Sequence, residues 1–117
     1  MLRAMPATVP RLVLVTDRHS TAGRDLVAVV AAALDAGLPA VQLREKDLDG
    51  APLLALARAV LELARPHAAE VSINDRLDVA LAAGADGVHL PERGLTIEDA
   101  RATCASVRRS LALGCSR

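Results

Sequence analysis

The polar side chains able to do chemistry fall in short clusters, each at the end of a brief apolar run. Asp17-Arg18 closes Leu12 to Val15, and Gln42, Arg44 and Lys46 run through and past Ala40 to Leu43. Asn74-Asp75 follows Val71-Ser72-Ile73, while His89 with Glu92-Arg93 goes with Gly87 to Leu90. An amide and two cations in Gln42-Leu43-Arg44-Glu45-Lys46 suit a phosphate ligand. The guanidinium offers a planar fork and the ammonium a point charge, and both stabilise phosphate oxygens. A carboxylate after the next run, Asp75, could hold a Mg²⁺ bridging those oxygens.

Each cluster also has a plainer reading. Arg44-Glu45-Lys46-Asp47 can be a solvated loop with internal ion pairs. Asn74 and Asp75 are preferred helix N-cap types, and a helical pattern starts there. His89 can be a hydrogen-bonded core histidine, and Asp17-Arg18 a surface turn with its own salt bridge. Ser116, at the end of a fifth apolar run, says nothing by itself.

The elements that must position these groups alternate between β-like and helical patterns. Leu26 to Ala36 reads as a helix, with Gly37 just past its end. Leu53 to Ala64 carries a 3.6-residue pattern, with Pro52 early enough to be tolerated and Pro66 closing it. Arg76 to Ala83 reads as a short helix stopped by Gly84. Thr96-Ile97-Glu98-Asp99 has capping-box spacing and opens a fourth helix. Leu111 to Cys115 begins a fifth strand. Strand then helix, repeated, implies an α/β fold of parallel strands with right-handed crossovers. The strand runs read as apolar on both faces. Two architectures fit: an open five-stranded doubly wound sheet, or the first part of a (β/α)₈ barrel, which normally takes about 250 residues. In both, residues at the C-terminal strand ends converge on one face.

Composition bounds the function. The chain has 117 residues, 52% of them hydrophobic and none aromatic, so the core must be Leu, Val, Ile and Ala. Without aromatic rings it lacks the usual grip on single-stranded nucleic acid. With 14 basic and 14 acidic residues there is no global field favouring nucleic acid or anionic membranes. No apolar run approaches the ~20 residues that span a bilayer. Cys104 and Cys115 fit no CxxC pattern and read as reduced thiols in a cytoplasmic protein. Residues 1–11 read as a disordered leader and residues 12–117 as the folded part.

In order and separation, Leu14 to Arg18, Ala40 to Asp47, Ile73 to Arg76 with Asp78 to Ala80, and Gly84 to Leu90 resemble the thiamine phosphate synthase family and its relative TenI. The QLREK and NDR blocks are the specific ones; GADGVHL is shared more widely. The resemblance runs from about Leu12 to the end of the chain. It implies the N-terminal part of a (β/α)₈ barrel, four β/α units and the start of strand five. It implies that Gln42, Leu43, Arg44, Glu45 and Lys46 bind an aminopyrimidine diphosphate, with Asn74 and Ser116 touching the same substrate and Asp75 binding Mg²⁺. Arg44 and Lys46 would be catalytic, neutralising diphosphate as a thiazole phosphate nitrogen displaces it and thiamine phosphate forms.

Two departures stand out. The family's second Mg²⁺-binding aspartate lies at the fifth residue after the strand-four histidine, and here that residue is Gly94. Glu92 is the nearby substitute, and Gly94 strengthens the claim of a TenI-type thiazole tautomerase. The family's later strands, with a further lysine and glycine-rich phosphate loops, have no counterpart in these residues. A barrel ending at strand five would expose its edges and self-associate, so the chain alone is expected to be inactive, or a non-catalytic diphosphate-binding remnant. A phospho-accepting signalling domain of similar length is the rival from another class. It needs a lysine ending strand five, and Gly114-Cys115-Ser116-Arg117 has none.

Overall fold

The computed structural model describes residues 11–108 and 111–115. The leader expected over residues 1–11, Arg11 apart, and the expected substrate contact Ser116 lie outside them. The described chain alternates strand and helix throughout: β1 (Leu14–Val15), α1 (Leu26–Asp35), β2 (Ala40–Leu43), α2 (Gly50–Ala64), β3 (Glu70–Asn74), α3 (Leu77–Ala83), β4 (Gly87–Leu90), α4 (Ile97–Ser106) and β5 (Ala112–Cys115). Short 3₁₀ turns at Arg18–Ser20 and Arg65–His67 follow β1 and α2.

All the strands are parallel and lie in chain order, β1-β2-β3-β4-β5. That order chooses between the two architectures. A doubly wound sheet reverses direction at a switch point, whereas this sheet adds every strand on the same side. Right-handed crossovers that all advance one way put every helix on one face. This is barrel winding. It also excludes the sheet order of the signalling domain.

Local chemistry explains the helix boundaries. The Asp25 carboxylate accepts from the Ala28 amide and starts α1; Gly37, at φ +102°, follows its end. The Thr96 hydroxyl accepts from the Asp99 amide and starts α4. Gly84 ends α3 in the left-handed conformation, at φ +74°, where a Cβ would add strain. In α1 the buried residues are Leu26, Val30 and Leu34, one every turn. In α2 they are Leu53, Ala57, Val60, Leu61 and Ala64, a stripe facing the same core. No described helix is long and apolar enough to cross a membrane.

The expectation of strands apolar on both faces is overturned. Val41, Leu43, Val71, Ile73, Val88 and Leu90 are buried against the helices. Strand alternation sends their neighbours to the other face. The cross-strand register lines up Gln42 with Ser72 and Gly87, and Asn74 with His89 and Gly114. From β2 to β5 the face away from the helices is therefore polar and small, as suits a surface turned to a ligand rather than to a helix layer; β1 adds Val15 beside Gln42. Apolar burial on one side alone holds the sheet to its helices. Replacing Leu34, 1% exposed and remote from the strand ends, by alanine is expected to lower the unfolding free energy by about 2–5 kcal/mol. Urea denaturation measures it; an unchanged midpoint would contradict the core described.

Candidate active site

The β2 loop shows how the fold sorts a run of alternating charge. Glu45 is buried, its side chain 1% exposed, and a carboxylate so placed requires donors. They come from the loop after β1. The Thr16 hydroxyl donates to Oε2 of Glu45 at 2.7 Å, and the Arg18 backbone amide to Oε1 at 3.0 Å. The Arg18 guanidinium adds a contact to Oε1 at 3.1 Å. Thr16 is itself buried and accepts from the Arg44 backbone amide at 3.1 Å. One hydroxyl thus joins the backbone of Arg44 to the carboxylate of Glu45.

Arg18 holds a second carboxylate. Its two terminal nitrogens meet Oδ1 and Oδ2 of Asp47 at 2.8 and 2.6 Å, a forked pair. His19 Nε2 lies 2.9 Å from the same Oδ2. Arg18 first, then His19, hold the Asp47 carboxyl at about 2, below its ordinary 3.8. Asp17 turns instead to its own 3₁₀ turn, accepting from the His19 amide and the Ser20 hydroxyl. Both reduced readings of these residues therefore need correction. Arg18 does not pair with Asp17 in a surface turn, and the Arg44–Asp47 loop does not pair internally.

At the end of β3 the chain turns sharply. Asp75 has φ +68°, the left-handed region, which aspartate tolerates better than most side chains. Its amide donates to the His89 carbonyl at 2.7 Å, pinning the turn to β4. The capping reading of Asn74-Asp75 fails here. The N-cap of α3 is Arg76, and no side chain caps that helix. Asp75 is exposed and Asn74 is buried.

A cavity of about 190 Å³ opens at these strand ends, lined by Leu43, Glu45, Lys46, Leu48, Leu53, Asn74, Asp75, Arg76 and Pro91. The lining is thus part aliphatic and part charged or amide-bearing. The structure brings together Leu43, Glu45, Lys46, Asn74 and Asp75 of the expected site. Gln42 and Arg44 do not line the cavity. Gln42 belongs to the helix-free sheet face and Arg44 is exposed at the same strand end. Glu92 is exposed and also off the cavity. Arg76 lines it but is bound to Asp78 through Nε and a terminal nitrogen, at 3.0 and 2.9 Å. The sequence reading missed Arg76, Pro91, Leu48 and Leu53 as lining, and Thr16 as the link between loops. The charge complementarity of the first two strand-end clusters was the available signal for the Arg18–Asp47 pair.

Gly94 comes close to this site. A Cβ built on it would lie 2.9 Å from Oδ1 of Asp75, and 2.9 and 3.0 Å from Cγ and Cδ of the Pro91 ring. The Asp75 side chain could swing away; the proline ring is stiffer. A carboxylate at that position would need the loop after β4 to shift. Among the described residues no three His, Cys, Asp or Glu side chains converge on a metal-binding point. The donors suit Mg²⁺ only as that ion commonly binds, through one or two carboxylates with substrate phosphate and water completing its shell. Asp75 can supply that carboxylate.

Residues 12–116 match the family model described as thiamine monophosphate synthase. Over 97 residues the chain is 56% identical to a putative thiamine-phosphate synthase of Geobacter sulfurreducens, covering 83% of this chain and 46% of that protein. Over 91 residues it is 50% identical to a thiamine-phosphate synthase of Albidiferax ferrireducens, covering 78% of this chain and 42% of the relative. The solved thiamine phosphate pyrophosphorylase of Pyrococcus furiosus superposes with a TM-score of 0.81 at 31% identity, over 90% of this chain and 48% of that one. The chain thus spans less than half the length of these relatives. On sequence and on winding alike, the chain belongs to the thiamine monophosphate synthase family.

Proposed function

We propose that this chain forms the diphosphate-binding part of a thiamine phosphate synthase site. The whole protein would couple aminopyrimidine methyl diphosphate to thiazole phosphate, releasing diphosphate and leaving thiamine phosphate. The observation that carries this reading is the cavity that Lys46, Asn74 and Asp75 share at one end of the parallel sheet. At about 190 Å³ it is smaller than the ~300–1,000 Å³ of whole small-molecule pockets. It suits one end of such a substrate.

As the bond between the pyrimidine methylene and the diphosphate oxygen breaks, negative charge gathers on the leaving group. Groups already aimed at that charge speed the step, because they need no reorganisation. Lys46 brings a point charge from the cavity wall and Arg44 a guanidinium from the same strand end. Gln42 and Asn74 bind the substrate with amides, Leu43 packs against it, and Ser116 is the further contact from strand five. Glu45 acts by holding the loop in shape. Asp75 would carry a magnesium ion, with Glu92 the weaker candidate; when bound, the ion supplies positive charge to the diphosphate oxygens. The substrates are small and soluble, and we place the reaction in the cytoplasm.

One observation favours a second reading. Gly94 stands where the family resemblance puts a second carboxylate, and a Cβ there would come within 2.9 Å of Asp75 Oδ1, which suits a TenI-type tautomerase less dependent on the metal. Calorimetry with the pyrimidine diphosphate separates the two. The synthase reading expects binding strengthened by Mg²⁺ and weakened at least about tenfold in Lys46→Met, as expected for a lost charge-assisted contact. Binding indifferent to both Mg²⁺ and Lys46 would overturn it.

A further inference from the structure

We propose that Arg18 is a positioning residue that keeps Arg44 and Lys46 available to an anion by occupying the two carboxylates interleaved with them. The inference rests on the reading of this loop as a diphosphate site. In Arg44-Glu45-Lys46-Asp47 each cation adjoins a carboxylate, and in a free loop the nearest opposite charges would pair and cancel. The structure prevents this by bringing a third cation from the turn after β1. Arg18 meets Glu45 at 3.1 Å and Asp47 at 2.6 Å. Neither Arg44 nor Lys46 has an ion-pair partner among the described residues.

The charge balance follows from these contacts. Two carboxylates near a bound diphosphate would repel it. A guanidinium bound to both removes much of that repulsion by neutralising their charge. Glu45 is fixed by burial and by Thr16 as well. Asp47 is half exposed, its side chain 54% accessible, and Arg18 and His19 are what restrain it. Freed from Arg18, Asp47 is the acid able to swing onto Lys46. With its carboxyl held at about 2 by Arg18 and then His19, Asp47 is ionised and paired at neutral pH.

The test compares Arg18→Met, Arg18→Lys and the double variant Arg18→Met/Asp47→Asn in the full chain. The probe is inorganic diphosphate with Mg²⁺, followed by calorimetry. Arg18→Met should weaken binding at least about tenfold, and adding Asp47→Asn should recover most of the loss. Arg18→Lys should fall between, because an ammonium cannot fork onto both carboxylates. A strut that served stability alone would show no recovery in the double variant, and that result overturns the proposal. Acetylation of Lys46 by an N-hydroxysuccinimide ester, read by mass spectrometry, gives a ligand-free check. It should slow several-fold in Arg18→Met and recover in the double variant. An unchanged Lys46 rate in Arg18→Met overturns the proposal whether or not diphosphate binds. Absence of diphosphate binding by the wild-type chain instead sinks the underlying reading and leaves the acetylation result to decide this one.

Discussion

A carboxylate with 1% of its side chain exposed, as in Glu45, has lost nearly all its water. Such desolvation costs several kcal/mol unless donors replace the lost hydration. For Glu45 those donors are the Thr16 hydroxyl and the amide and guanidinium of Arg18, all from the loop after β1. The requirement is mutual. The buried acid finds its hydrogen-bond donors in the loop after β1, and that loop takes its shape around the acid. Because Thr16 also receives the Arg44 amide, the same contact sets the path of the segment that presents Arg44 and Lys46.

The sheet decides what this tie is worth to a ligand. Parallel strands in chain order bring the ends of β1, β2, β3 and β4 to one rim. Helices confined to one face leave the other free for Gln42, Ser72, Asn74 and His89. At the rim, the Asp75 amide bonded to the His89 carbonyl holds the β3 turn against β4. Gly94 follows β4 so near that a Cβ on it would come within 2.9 Å of the Asp75 carboxylate. The backbone that carries the acid is thus held from two strands before any ligand arrives, and such preorganisation favours binding and catalysis.

Much of this was legible in the sequence. The helices fell where their apolar spacing and their caps at Thr96, Gly37 and Gly84 put them, and the polar clusters did mark strand ends. Four features were not legible, each for a physical reason. Sheet order is a tertiary property, so local patterns could not separate a barrel from a doubly wound sheet. The polar sheet face was missed because runs such as Ala40 to Leu43 hold a single polar residue, and a short run hides its alternation. The sorting of Arg44 to Asp47 depends on Arg18, which is distant in sequence and adjacent only after β1 and β2 pair. The left-handed turn at Asp75 likewise looked like a helix cap, because the residue types that cap helices are those that tolerate such turns.

The central claim is that the strand-end rim of this sheet is built to receive a diphosphate. Amide shift mapping by NMR during a titration with magnesium diphosphate tests it most directly. The largest changes are expected at Leu43 to Lys46, Asn74 to Arg76 and Glu92. Changes centred on the opposite rim, at Leu38, Ala69 and Asp86, or no changes at all, would contradict it.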